Sequence, residues 1–133
     1  MRIIGGSARG LKLAEVGAGD GEAHLRPTSD RVRESIFNLL INGIHGNSIP
    51  GARVLDLFAG TGALGLEALS RGAAWVGFVD DGAVAQALIR RNIALMRVAG
   101  ATEVWRRDAC TMGRNPGSPY DLVFLDPPYG KAL

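Results

Sequence analysis

The sequence predicts an α/β fold in which parallel strands are joined by helices and lie in the spatial order 3-2-1-4. Three observations predict it. Short apolar runs recur along the chain with an aspartate at the carboxyl end of each, at Asp56, Asp80, Asp108 and Asp126. A glycine-rich turn follows the first of them. The intervening stretches carry apolar residues at helical spacing, and strand–helix alternation with right-handed crossovers gives the stated order.

Along the chain, Arg2 to Leu13 reads as a hairpin, and Ala14 to Leu25, with Gly17, Gly19 and Gly21, as a loop. Thr28 or Ser29 can cap a helix through about Ile41, with Val32, Ile36, Phe37 and Leu40 spaced for one apolar face. Gly43 to Gly51 breaks it. Arg53 to Phe58 reads as a buried strand, and Ala59-Gly60-Thr61-Gly62-Ala63-Leu64-Gly65 as a turn entering a helix that runs to about Arg71. Trp75 to Val79 forms the second strand. Gly82 to Ala99 is helical, with Val84, Leu88, Ile89, Ile93 and Met96 inward and Arg90, Arg91 and Arg97 in solvent. A third strand surrounds Val104-Trp105-Arg106, Asn115 to Pro119 is a loop, and Leu122 to Leu125 is the fourth strand. Phe58, Trp75 and Trp105 read as packing residues, and no internal repeat is visible.

With 47% hydrophobic and 21% charged residues, the chain is globular rather than disordered. Its single cysteine, Cys110, has no internal disulfide partner, and His24 and His45 are isolated, so no metal is expected. No apolar run reaches the roughly 20 residues that span a bilayer. No charged leader precedes the first strand, and the expected location is cytoplasmic. A net charge of +2 says little about nucleic acid, but its distribution says more. Arg2, Arg9 and Lys12 fall on the hairpin, and Arg26, Arg31 and Arg33 surround the next helix start, where its first N–H groups also favour phosphate. The alternative is a solvated face, since Glu15, Asp20, Glu22, Asp30 and Glu34 largely cancel this charge.

Asp126-Pro127-Pro128-Tyr129 points to chemistry on an amino group attached to a flat ring. Such an amine is a poor nucleophile because its lone pair is delocalised, so a catalyst must aim that pair. The Asp126 carboxylate and the Pro127 carbonyl can each accept an N–H, and Tyr129 can stack on the ring. Two prolines stiffen the loop and withhold competing donors. As a bare strand-ending turn, the same four residues would be ordinary. Gly60, Gly62 and Gly65 also satisfy the dinucleotide fingerprint, with Asp80 near the expected acid, so a nicotinamide or flavin oxidoreductase is a rival. Asp56 argues against it. A carboxylate there would oppose a pyrophosphate but suits a ligand bearing an ammonium and a sulfonium, as S-adenosylmethionine does. Asp80 can then accept from ribose hydroxyls and Asp108 from the adenine amine.

These motifs resemble class I, S-adenosylmethionine-dependent methyltransferases, and more narrowly the bacterial 16S ribosomal RNA guanine-N2 methyltransferase family. The resemblance covers essentially the whole chain. It rests on Arg2-Ile3-Ile4-Gly5-Gly6, on Arg26-Pro27-Thr28 with Arg31 to Asn38, on Val54 to Gly65 with Glu67 to Ala73, and on Asp126 to Tyr129. It implies a Rossmann-like sheet with an N-terminal hairpin extension. Residues 1–27 would be the RNA-contacting extension and 28–133 the cofactor-binding domain, with the C-terminal strands of that fold expected to be missing. The implied cofactor residues are Asp56, Phe58, Ala59, Gly60, Thr61, Gly62, Asp80, Asp108 and Ala109. Asp126, Pro127, Pro128 and Tyr129 would be catalytic. The partner would be 16S ribosomal RNA within a small-subunit particle, with the guanine extruded from its stack. The family usually has glutamate at the position of Asp80 and often asparagine near Asp108, and the loop after the hairpin is longer here. A DNA adenine-N6 or cytosine-N4 methyltransferase and a catalytically inactive cofactor-binding fragment remain alternatives.

Overall fold

The computed structural model describes residues 1–15, 29–43, 46–113 and 117–126. Most of the expected loop after Ala14, together with Arg26, Thr28 and the Pro127-Pro128-Tyr129 run, lies outside them. Ser29 opens the first helix, α1 (Asp30–Asn42), its Oγ accepting the Val32 N–H at 3.2 Å. That N–H is one of the donors a helix start leaves without an internal partner. The elements that follow are β1 (Arg53–Leu57), α2 (Ala63–Ser70), β2 (Trp75–Val79), α3 (Ala83–Met96), β3 (Thr102–Trp105) and β4 (Leu122–Leu125), with 3-10 turns at Ala99–Ala101 and Ala109–Thr111.

The sheet has four parallel strands in the order β3-β2-β1-β4, as the crossover rule requires. Register sorts its side chains. Val54, Val76, Thr102 and Leu122 share one level of one face, and Asp56, Phe78, Val104 and Phe124 share the next. This face holds the core, where Val54, Val76, Phe78 and Phe124 pack with Leu66 and Leu69 of α2, Ile89 and Ile93 of α3 and Phe37 of α1. The Phe37 and Phe124 rings lie 5.6 Å apart. On the other face, Val123 and Leu125 are 48% and 66% exposed, so no described element covers that end of β4. Arg53 sits there between two aromatic rings, 4.4 Å from Trp75 and 4.8 Å from Tyr120. No described helix is long and apolar enough to cross a membrane.

Two helix faces depart from expectation. In α1 the buried residues are Arg33 and Phe37, whereas Val32 is 50% exposed. In α3 they are Ala85, Gln86, Ile89, Asn92 and Ile93, and Val84 points outward at 41% exposure. In both, polar residues occupy the buried stripe and rotate it away from the purely apolar pattern.

The N-terminal hairpin forms with a single antiparallel bridge, Arg2 to Lys12, flanked by Ile3 N–H to Leu11 O at 2.9 Å and Leu13 N–H to Met1 O at 2.9 Å. Ile3 and Leu13 enter the same core as the sheet. Glu67 of α2, fully buried, fastens this segment to the helices. Its Oε1 accepts the Ile4 N–H at 2.9 Å and Arg33 Nε at 3.1 Å, and its Oε2 accepts the Gly5 N–H at 3.0 Å and Arg71 Nε at 2.8 Å. Arg33 also donates to the Arg2 carbonyl and, at 2.8 Å, to Asp30. A carboxylate accepting from four donors, two of them guanidinium N–H groups, is the condition under which a buried charge is held rather than merely tolerated.

Candidate active site

The carboxyl ends of β1, β2 and β4 meet around the turn 59–62, at the edge where open parallel sheets bind ligands. The turn is held by backbone bonds from Ala59 N–H to Val79 O at 3.0 Å and from Gly62 N–H to Ala59 O at 2.8 Å. Gly60 and Gly62 take φ of 59° and 83°, left-handed values that cost a residue with a Cβ but not glycine. Gly65 serves a different end. A Cβ there would lie 2.4 Å from Phe78 Cε1 and 2.8 Å from Val76 Cγ1, so glycine is what lets α2 lie this close to β2.

Asp56 lies within β1 rather than after it and is 1% exposed. Its Oδ2 accepts the Gly65 N–H at 3.0 Å, supplying the cap that Gly62, with no side chain, cannot give α2. Burial pushes its pKa well above the ordinary carboxyl value; the Gly65 bond opposes this, and the charges of Asp126 and Asp80 add to it. Asp80 and Asp126 are therefore close enough to Asp56 to disfavour its charged form, and a cation beside it would offset them.

Asp80, just past β2, spans the turn. Its Oδ2 accepts the Gly60 N–H at 3.0 Å and its Oδ1 the Gly82 N–H at 2.9 Å, which leaves further lone pairs on both oxygens. Asp108 is exposed and caps the turn Ala109–Thr111, its Oδ1 accepting the Cys110 N–H at 2.9 Å. Ala109 is half-buried beside it, and Phe58, with φ 55°, is half-buried where β1 enters the turn. Thr61 is 3% exposed and directs its hydroxyl to Met1 Sδ at 3.6 Å, so its side chain faces inward. Asp126 directly follows β4 in an exposed position, while Pro127, Pro128 and Tyr129 lie outside the described residues.

Among the expected phosphate contacts, Arg2, Arg9, Lys12 and Arg31 are exposed, although one Arg2 nitrogen donates to the Gly10 carbonyl at 3.1 Å. Arg33 is a correction. It is 0% exposed and its guanidinium is taken up inside the protein, so it cannot reach a phosphate. Gln86 is a residue the sequence reading missed. Its Nε2 donates to the Asp80 carbonyl at 2.7 Å and the Trp105 carbonyl at 3.1 Å, fixing the ends of β2 and β3 against each other beside the turn. Its one signal was a polar residue one turn before Ile89 and two turns before Ile93, on the apolar side of the helix.

Comparison with known proteins agrees with this architecture. A family model described as conserved hypothetical protein 95 matches residues 1–133. The ribosomal RNA small subunit methyltransferase D of Escherichia coli K12 is 46% identical over 100% of this chain and 62% of its own length. The protein of the same name from Haemophilus influenzae is 40% identical over 97% of this chain and 64% of its own. The chain thus spans less than two thirds of these relatives. Among solved structures, the Escherichia coli protein yhhF, provisionally named a methyltransferase, superposes with a TM-score of 0.77 at 39% identity, covering 98% of this chain and 65% of that one. A Pyrococcus horikoshii protein provisionally named an RNA methyltransferase gives 0.73 at 27% identity, covering 90% and 56%. The sheet is the Rossmann-like class I methyltransferase sheet, and the chain belongs to the conserved hypothetical protein 95 family, that of ribosomal RNA small subunit methyltransferase D.

Proposed function

We propose that the chain serves S-adenosylmethionine-dependent methylation of the exocyclic N2 amine of a guanine in 16S ribosomal RNA. The observation that carries the reading is the gathering of Asp56, Asp80 and Asp126 about one glycine-rich turn, with Asp56 buried and raised in pKa by burial and by the other two. Such a group of acids gains from a cationic ligand and would repel a pyrophosphate, which counts against the dinucleotide alternative. Names borne by the relatives support ribosomal RNA as the substrate.

Bound there, S-adenosylmethionine supplies a methyl group already activated by its sulfonium charge, so the protein's task is positioning and exclusion of water. Asp56 and the turn would hold the cationic end, Asp80 the ribose and Asp108 with Ala109 the adenine. Asp126 accepts one N–H of the guanine amine and takes the proton that leaves as the N–C bond forms. By residue type, the Pro127 carbonyl accepts the other N–H and Tyr129 stacks on the base. Arg2, Arg9, Lys12, Arg26 and Arg31 would contact RNA phosphates, making residues 1–27 an RNA-facing extension of the domain 28–133.

The test is transfer of labelled methyl to small-subunit particles lacking the modification, with nucleoside analysis of the product. N2-methylguanine is expected. Asp126→Ala should abolish transfer at unchanged cofactor affinity, whereas Asp80→Ala, by freeing the Gly60 N–H, should weaken cofactor binding first. Equal loss of cofactor binding in both variants would refute this division of roles. Methylated adenine or cytosine in DNA, with none in ribosomal RNA, would refute the substrate.

A further inference from the structure

Asn92 lies on α3, fully buried, and takes no part in the proposed transfer or in cofactor binding. Its amide bonds both backbone groups of one residue of the N-terminal segment. Oδ1 accepts the Ala14 N–H at 2.6 Å, and Nδ2 donates to the Ala14 carbonyl at 3.0 Å. The same Nδ2 donates to the Thr61 carbonyl at 2.9 Å. Thr61 stands in the glycine-rich turn directly after Gly60, whose N–H is held by Asp80. A second contact joins the same two segments, from the Thr61 hydroxyl to Met1 Sδ at 3.6 Å, and the Met1 ammonium pairs with Glu15 at 3.5 Å.

Asparagine is what this junction requires, because it needs one acceptor and two donors in a single plane at short reach. Leucine, of similar size, would leave the Ala14 N–H and the Ala14 and Thr61 carbonyls without partners. Aspartate would keep the shape but set a carboxylate oxygen against two carbonyls.

We propose that Asn92 is a positioning residue that couples the cofactor turn to the N-terminal segment, so that filling either site tightens the other. The inference rests on the reading of the turn as the S-adenosylmethionine site. A ligand that fixes the turn fixes the Thr61 carbonyl, and through Asn92 it fixes the Ala14 peptide. Linkage makes the effect reciprocal. Because the hairpin ahead of Ala14 carries Arg2, Arg9 and Lys12, the partner felt at the far end is the polyanionic RNA of the proposed reaction.

Hydrogen exchange at the Ala14 amide, with and without saturating S-adenosylhomocysteine, tests this, with ligand binding measured by calorimetry on the same sample. The ligand should slow Ala14 exchange about fivefold or more, the lower end of ordinary coupling between sites. The slowing should exceed that at the Gly5 amide, which Glu67 holds independently of the turn and which reports general stabilisation. Asn92→Asp should remove the excess at Ala14 and weaken the ligand about tenfold, the worth of one buried hydrogen bond. Ligand binding with no excess slowing at Ala14 overturns the coupling and leaves the cofactor reading standing. Absence of ligand binding overturns the cofactor reading, and the coupling falls with it. An excess that survives Asn92→Asp overturns the role of Asn92. Because the Ala14 N–H is itself bonded to Asn92, the parent protein alone decides if that variant fails to fold.

Discussion

Replacing Glu67 with leucine tests how the N-terminal segment is held to the helices. Leucine keeps the volume but orphans the Ile4 and Gly5 N–H groups and the Nε groups of Arg33 and Arg71. Left wholly unsatisfied, each would cost about 1–3 kcal/mol. Simple addition overstates the sum, because Arg71 is 12% exposed and can turn toward water, and the first residues can lift away from α2. Arg33 has no such exit at 0% exposure. Removal of one partner from a buried ion pair costs about 3–5 kcal/mol, and about 4 kcal/mol is expected here. At about 4 °C per kcal/mol for a chain of this size, the melting temperature should fall by about 15 °C. Urea unfolding followed by circular dichroism measures the loss. Adding Arg33→Met should return part of it, since the guanidinium that has lost its buried carboxylate and keeps partners such as Asp30 and the Arg2 carbonyl is then gone. A loss under about 1 kcal/mol, or a double variant as unstable as the sum of the singles, would refute the argument.

Three further predictions concern the site. The raised carboxyl of Asp56 means that the folded state binds its proton more tightly than the unfolded state. Its stabilising contribution is thus complete below the unfolded value of about 3.9 and is lost as pH rises through the folded value. Asp56→Asn, which can still accept from Gly65, should therefore gain stability relative to the parent as pH rises while losing cofactor affinity; a difference flat with pH between about 4 and about 8 would refute this. Gly65→Ala drives a Cβ to 2.4 Å from Phe78 and should cost about 1–3 kcal/mol in thermal unfolding; an unchanged melting temperature would show that α2 can shift freely. Arg9→Ala with Lys12→Ala should lower the salt slope of RNA binding by about 0.7 for each phosphate no longer neutralised, and an unaltered slope would remove the hairpin from the interface.

The strands were legible because their signal is local. A run of apolar residues closed by an acid identifies a strand and its carboxyl end together, and Asp56, Asp80 and Asp126 stand at that edge of the sheet. The polar residues that organise the site were not legible, because their partners are remote in sequence. Glu67 meets Ile4 and Arg33, Asn92 meets Ala14 and Thr61, and Gln86 meets Trp105. Arg33 shows the cost of this remoteness. Beside Arg31 and Glu34 it reads as one more surface cation, and the fully buried carboxylate it meets is that of Glu67 on another helix. The same effect displaced the inferred apolar faces of α1 and α3, since a rule that counts apolar residues assigns a satisfied buried arginine or asparagine to solvent.

Asp56 ties fold and function together most closely. Its structural task is to accept the Gly65 N–H at the start of α2, and the amide oxygen of asparagine would do that without an ionisable group in the core. A carboxylate brings a desolvation cost, increased by two neighbouring acids of the same sign. Stability alone therefore favours asparagine at this position, and the cationic ligand proposed for the turn would account for the extra charge. A site in which the local rule for stability is broken, beside a turn shaped to admit a ligand, is where function is expected to oppose folding. The opposing effects predicted for Asp56→Asn, a gain in stability as pH rises and a loss of cofactor affinity, are the measurable form of that opposition.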